Sequence, residues 1–121
     1  MFLIRRLERM VIFKEKLQTD TLDLKYIEMP YDSVEEARKA ILHVDLQYGE
    51  PCMWYDAVEY DLPMKKYLIL AVGTGHYWGK YHDEDILTRD MYIGTVLLES
   101  GSLVLHYFLV ESDNPNLNLI L

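Results

Sequence analysis

The sequence predicts a mainly β domain, an antiparallel sheet folded as a sandwich or partly open barrel of about seven strands with one short helix. Short runs of residues alternate between apolar and polar side chains, as expected for half-buried strands. Glycine, proline and small polar residues separate these runs and mark turns. The chain has 121 residues, half of them hydrophobic, which suits one compact core. We therefore treat residues 1–121 as a single domain.

The first two predicted strands cover residues 10–16 and 21–29. Between them, Gln18, Thr19 and Asp20 have the polar character of a hairpin turn. Pro30 ends the second strand, because proline has no backbone N–H to continue a ladder of hydrogen bonds. The pattern thus predicts that the two strands pair with each other.

The predicted helix extends through Lys39, with Asp32 or Ser33 as its N-cap. Ser33 and Glu36 stand at the spacing of a capping box, in which the serine hydroxyl accepts a hydrogen bond from the backbone N–H three residues on. We expect about two turns, since the alternation of a strand resumes directly afterwards.

Further strands are predicted at residues 40–47, 52–60 and 66–72. Residues 48–51 contain glycine and proline and turn the first of these strands into the second. Asp61-Leu62-Pro63 interrupts the strand pattern before the third of these strands.

The clearest hairpin joins residues 91–98 to residues 103–110 through a short loop that contains Gly101. After it, apolar residues at alternate positions in the tail, 112–121, predict an added strand. Such a strand needs a cover, either this chain's own sheet edge or a neighbouring subunit. At the other end, residues 1–9 form a basic extension with apolar residues at helical spacing, which is either a self-packed turn or a docking segment.

The connection of residues 73–90 is the leading candidate for a functional segment, because it is longer than most loops in compact domains. Glycine-rich backbone after a strand can bind anions, although a tight turn with positive φ explains the same glycines. Aromatic side chains in the loop suit recognition of a partner, and they equally suit a lid on the protein's own sheet. The candidate ligand- or partner-binding residues are Gly73, Thr74, Gly75, His76, Tyr77, Trp78, Lys80, Tyr81 and His82.

Catalytic, cofactor and metal sites are not predicted. His76 and His82 lie near the acidic residues 83–85, but their separation does not match a helical metal-binding pair. His106 alternates with apolar neighbours on one strand and is expected to be a hydrogen-bonded, partly buried residue rather than a base. Cys52, in a predicted strand, is expected to be buried and inert.

The net charge of −8 is unevenly distributed. Residues 1–16 carry five basic and two acidic side chains, a net of +3, so residues 17–121 carry −11. Direct binding to nucleic acid or to an anionic membrane is therefore disfavoured. A single cysteine, no signal-peptide pattern and no apolar run of about 20 residues predict a protein of the reducing cytosol.

Four short motifs occur in the order GxxCxW, GTGH, YIGTV and LVxHxF, at residues 49–54, 73–76, 92–96 and 103–108. In this order and spacing they resemble a family of small bacteriophage and prophage proteins of unknown function. The resemblance covers roughly residues 10–112 and implies a phage-derived β-sheet protein of the host bacterial cytoplasm. This chain departs from the family pattern in its basic N-terminal extension, in the helix near Ser33 and in the longer loop after His76. The resemblance implies no catalytic residues.

We expect a non-enzymatic binding protein without a cofactor, which forms a homo-oligomer and binds a host protein or a small ligand. Its role would be to counter a host defence system. The alternative is a structural or assembly accessory that acts by self-association. A small hydrolase that uses His76 or His82 is a third hypothesis.

Overall fold

The structure is a computed structural model that describes residues 10–21, 23–58, 64–75 and 87–113. Seven strands and one helix lie in these residues, namely β1 (Met10–Lys16), β2 (Lys25–Met29), α1 (Val34–Lys39), β3 (Ile41–Gln47), β4 (Glu50–Val58), β5 (Lys65–Gly73), β6 (Tyr92–Leu98) and β7 (Leu103–Glu111). They form a three-stranded sheet in the order β1-β4-β3 and a four-stranded sheet in the order β2-β5-β7-β6, with every pair antiparallel. The predicted mainly β, antiparallel fold is confirmed.

The predicted hairpin between the first two strands is wrong. β1 pairs with β4 and β2 pairs with β5, so the two consecutive strands belong to different sheets. The polar residue Gln18 is buried rather than at the tip of a turn, and its side-chain amide donates to the carbonyl of Ile69 at 2.8 Å. The segment after β1 therefore crosses between the sheets, and β2 begins at Lys25 instead of residue 21.

The predicted helix is confirmed, with its first helical residue at Val34. The Ser33 hydroxyl accepts a hydrogen bond from the backbone N–H of Glu36 at 3.2 Å. Ala37 is fully buried and attaches the six-residue helix to the core.

Two tight turns make the hairpins that the sequence predicts. Tyr48 and Gly49 have φ angles of 52° and 79°, the positive values that a two-residue turn between β3 and β4 requires. Gly101 has a φ of 91° in the loop between β6 and β7. The predicted strand of the tail lies outside the described residues, apart from residues 112–113, which form a turn. The N-terminal extension, residues 1–9, also lies outside them.

The main core lies between the two sheets. Alternate residues of β5 and β7 face it, including Tyr67 and Tyr107, which are both fully buried. Their hydroxyls donate at 2.7 Å to the backbone carbonyls of Tyr31 and Gln18, respectively. Burial raises the pKa of both phenols, that of Tyr67 to about 12.

A second apolar cluster covers the opposite face of the four-stranded sheet. Its buried residues are Leu68, Leu70, Val72, Leu87, Phe108 and Val110, with Met91 packed against them. Leu87 belongs to the long connection after β5 and is fully buried here. This end of the connection therefore packs on the protein's own sheet, as a lid would, while residues 76–86 lie outside the described residues.

The free edges of β3 and β6 approach closely where the two sheets meet. A Cβ atom placed on Gly94 would lie 2.4 Å from Cβ of Val44. Bulges next to this contact interrupt both strands, and in β3 the bulge leaves Leu42 49% exposed. Since no backbone ladder joins β3 and β6, the sheets form a sandwich rather than a closed barrel.

Candidate functional site

A cavity of about 350 Å³ opens at the end of β5, on the outer face of the four-stranded sheet. Strand register brings its parts together, because Val72 pairs with His106 and Tyr92 pairs with Phe108. Alternate residues of a strand share a face, so the side chains of these strands project from the same side. Among the described residues the lining consists of Val72, Gly73, Thr74, Gly75, Tyr92, His106 and Phe108.

The cavity has a buried apolar floor and an exposed polar rim. Val72 and Phe108 are 7% and 2% exposed, whereas Tyr92 is 41% exposed. The rings of Tyr92 and Phe108 meet edge to face with centroids 5.7 Å apart, so they make one continuous aromatic wall.

The turn after β5 supplies the other wall. The backbone N–H of Thr74 donates to the carbonyl of Val104 at 3.0 Å and fixes the turn to β7. Gly75 has a φ of 91°, as the turn hypothesis for these glycines expects. Apart from its chain neighbours, none of the described residues has an atom within 4 Å of where its Cβ would be.

A chain of four hydrogen-bonding side chains runs along this wall, and we call it the His106 relay. The ring Nε2 of His106 lies 2.7 Å from the Thr74 hydroxyl, and Nδ1 lies 2.9 Å from the Thr95 hydroxyl. The Thr95 hydroxyl in turn lies 2.5 Å from the hydroxyl of Tyr92. His106 is thus held at both ring nitrogens, which confirms the prediction of a hydrogen-bonded, partly buried histidine.

The sequence prediction found only part of this site. Gly73, Thr74 and Gly75 line the cavity as predicted candidates, and the other predicted residues, His76, Tyr77, Trp78, Lys80, Tyr81 and His82, lie outside the described residues. Sequence reasoning missed the contribution of Tyr92, Phe108 and Val72. The available signal was the pair of motifs YIGTV and LVxHxF, which occupy neighbouring strands and place Thr95 opposite His106.

Two further cavities flank α1. One, of about 400 Å³, is lined by Val34, Glu35, Arg38, Thr88, Asp90 and Met91. The other, of about 360 Å³, is lined by Arg38, Lys39, Ile41, Tyr92 and Ile93. Arg38 lies between them and donates to the backbone carbonyl of Tyr92 at 3.2 Å. Charged side chains line both of these cavities, unlike the apolar one beside the relay.

The described residues hold no group of three or more histidine, cysteine, aspartate or glutamate side chains able to bind a metal ion. The pair His76 and His82 and the acidic residues 83–85 lie outside that part of the chain. Cys52 is 2% exposed in β4, as its sequence context predicts. No helix within the described ranges is long and apolar enough to cross a bilayer.

These features define a small β-sandwich domain with one largely apolar cavity at the end of a strand hairpin. The chain belongs to the family described as "Domain of unknown function (DUF7352)", whose match covers residues 9–118. No curated protein and no solved structure matches the chain significantly. Nothing in these comparisons indicates an enzymatic activity.

Proposed function

We propose that this protein is a non-enzymatic binding protein that captures a small molecule in the cavity beside the His106 relay. The observation that supports the proposal is a buried apolar floor, made by Val72 and Phe108, which ends at a set of polar side chains already held in place by hydrogen bonds.

The size and lining fit a small ligand. Ligand sites are usually apolar clefts of about 300–1,000 Å³ with a few well-placed polar groups. This cavity, of about 350 Å³, lies at the lower end of that range. A ring-sized apolar group would pack against the exposed ring of Tyr92, while its polar atoms would face the hydroxyls of Thr74 and Tyr92.

The relay favours binding over catalysis. A general base needs a ring nitrogen within reach of the proton that it removes. Both nitrogens of His106 are within hydrogen-bond distance of threonine hydroxyls of the protein itself. The ring therefore orients the Thr74 hydroxyl directly and the Tyr92 hydroxyl through Thr95, and we propose that its role is to position these two ends for a ligand.

The wider role that we propose is interference with a host defence system by sequestering a small host molecule in the bacterial cytoplasm. This part of the proposal rests on the resemblance of the four sequence motifs to phage proteins. A domain that binds a small molecule without converting it would lower the free concentration of that molecule when the protein is present in excess.

The cavity is tested by screening single-ring heterocyclic fragments against the full chain by two-dimensional ¹H–¹⁵N NMR. Binding should shift the amide signals of Gly73, Thr74, Gly75 and His106. Thr74→Trp places a large side chain at the exposed rim and should abolish these shifts. Leu97→Trp is the matched control, because Leu97 is 57% exposed on the same sheet and does not line the cavity.

Fragments that bind equally well to the wild type and to Thr74→Trp would show that they bind elsewhere. A screen in which no fragment shifts the four amides would also contradict the proposal. Signal dispersion in the spectrum of each variant shows directly whether it is folded.

Self-association is the second candidate, and one observation favours it. β1 is at the end of the three-stranded sheet among the described residues, and Met10 and Ile12 on its outer face are 61% and 60% exposed. Two exposed apolar side chains on a terminal strand suit pairing with a second copy. Sedimentation should show an oligomer that Ile12→Lys dissociates, whereas a monomeric wild type would contradict this candidate.

A further inference from the structure

We infer that the cavity selects ligands that carry a hydrogen-bond acceptor and a hydrogen-bond donor together, as a carboxamide or a lactam does, attached to an apolar ring. This inference rests on the proposed binding function. It follows from the number of protons in the His106 relay and from which of its members face the cavity.

The relay has one proton more than its internal bonds can use. A neutral imidazole carries one N–H, and each of the three hydroxyls, of Thr74, Thr95 and Tyr92, carries one O–H. The four groups are joined by three hydrogen bonds, and each bond takes one proton. One proton is therefore directed away from the relay.

The position of that proton is coupled to the histidine tautomer. When Nε2 carries the hydrogen, it donates to Thr74. Thr95 then donates to Nδ1 and accepts from Tyr92, so the remaining proton is on Thr74. When Nδ1 carries the hydrogen, it donates to Thr95, and Thr95 donates to Tyr92. Thr74 then donates to Nε2, and the remaining proton is on Tyr92.

Both ends of the relay line the cavity, whereas Thr95, in the middle, does not. With Thr95 donating one bond and accepting the other, one end presents a donor to the cavity and the other end presents an acceptor. Reversal of the tautomer exchanges the two ends together. A ligand with one acceptor and one donor thus pairs with both ends in either state. Two acceptors leave one of them without a donor, and two donors leave the outward proton of the relay without an acceptor.

The apolar part of the ligand is set by the floor. Val72, Phe108 and Tyr92 make the lining apolar, and the ring of Tyr92, which is 41% exposed, is the aromatic surface within reach of a ligand. The described lining residues include no charged side chain. A charged ligand group would lose its hydration there without a counter-ion from the described lining residues. The class that fits is therefore a neutral aromatic or heteroaromatic amide.

The test uses three probes of similar size, benzamide, methyl benzoate and toluene, titrated into the full chain and followed through the cavity amides. Benzamide offers an acceptor and a donor, methyl benzoate offers only acceptors, and toluene offers neither. Thr74→Val and Tyr92→Phe each remove one end of the relay while keeping the shape of the side chain. Tyr26→Phe is the control, since Tyr26 is 44% exposed on the same sheet and does not line the cavity.

We expect each end variant to weaken benzamide binding about three- to tenfold, as expected for one hydrogen bond. Methyl benzoate should be weakened by only one of the two variants, and toluene by neither. Tyr26→Phe should leave all three affinities unchanged.

The possible failures are distinguishable. Benzamide that shifts the cavity amides but keeps its affinity in either end variant would overturn the paired donor and acceptor and leave the binding function standing. Methyl benzoate weakened by both variants would also overturn it. If none of the probes shifts these amides at millimolar concentration, the proposed function fails, and this inference fails with it.

Discussion

Gly94 is the position where a single added methyl group should do most damage to this fold. A Cβ there would lie 2.4 Å from Cβ of Val44 and 2.9 Å from each of its two Cγ atoms. Real Cβ atoms essentially never approach so closely, and the nearest obstacle is joined directly to the backbone of β3 rather than being a flexible chain end. Gly94→Ala therefore forces the two sheets apart at their shared edge.

The expected cost is about 2 kcal/mol in the free energy of unfolding. Overpacking a well-packed interior costs typically 1–3 kcal/mol, while replacing glycine in a strand by alanine returns roughly 0.5–1 kcal/mol of conformational entropy. Since the clash involves three atoms of Val44, we place the overpacking cost toward the upper part of its range, and subtracting the entropic gain leaves about 2 kcal/mol. In a domain of this size, such a loss lowers Tm by about 6–10 °C.

Urea unfolding of Gly94→Ala, Val44→Ala and the double variant measures the coupling between the two positions. Val44→Ala removes both Cγ atoms and leaves Cβ, so alanine at position 94 should cost about 1 kcal/mol less in that background. Gly49→Ala is the matched control, because its φ of 79° makes alanine unfavourable although no atom lies within 4 Å. Its cost should be the same with either residue at position 44.

Two results would refute this reasoning. One is a Gly94→Ala variant with wild-type stability, which would mean that the edge yields without cost. The other is a cost that is the same in the presence and absence of the Val44 Cγ atoms.

Three further predictions concern the core, the helix and the cysteine. The folded pKa of Tyr67 is about 12, against an ordinary value of 10, so the protonated phenol stabilises the fold below pH 10. This contribution falls by about 1.4 kcal/mol per pH unit as the pH rises from 10 toward 12. The free energy of unfolding in urea, measured between pH 9 and 11.5, should therefore depend less steeply on pH in Tyr67→Phe than in the wild type, and an equal slope would contradict the assignment. Ser33→Ala removes the N-cap of α1 and should lower the free energy of unfolding by about 1 kcal/mol, whereas Ser102→Ala, a serine in the loop before β7, should cost less. Cys52 should react with iodoacetamide only as fast as the protein unfolds, so modification at the rate of a free thiol would show that its side chain is accessible.

Local signals in the sequence predict the parts of the fold that form locally. The turn of Tyr48 and Gly49, the loop around Gly101 and the cap at Ser33 each lie within a few residues of the elements that they connect or begin. In these places residue type determines backbone geometry directly, and both hairpins and the helix are confirmed.

Pairing between distant strands is not readable in the same way. The polar residues after β1 suit a turn, but Gln18 is buried and bonded to Ile69, 51 positions along the chain. A hydrogen bond over that separation leaves no periodic signal. The bulge that exposes Leu42 is likewise set by the neighbouring strand rather than by its own segment.

The turn after β5, which forms one wall of the candidate site, was predictable from the sequence, whereas the wall formed by β6 and β7 was not. The glycines near Thr74 mark a change of direction after an apolar strand, which residue type alone indicates. The other wall depends on the register of β6 and β7, which sets Thr95 opposite His106 and Tyr92 opposite Phe108. Register between strands is a property of the folded sheets, so the relay became visible only in three dimensions.

The crossing between β1 and β2 has a consequence for how the protein folds. The three-stranded sheet contains the local hairpin β3–β4, and the four-stranded sheet contains the local hairpin β6–β7. The crossing joins β1 in the first sheet to β2 in the second. The crossing is tied to both layers, because the Leu17 N–H donates to Pro51 at 3.0 Å and the Gln18 amide donates to Ile69. Pairing of β1 with β4 thus brings β2 close to its partner β5. The slow, long-range pairing steps of the two sheets then become a single event. The sandwich should therefore gain both sheets together in one cooperative transition rather than in two stages.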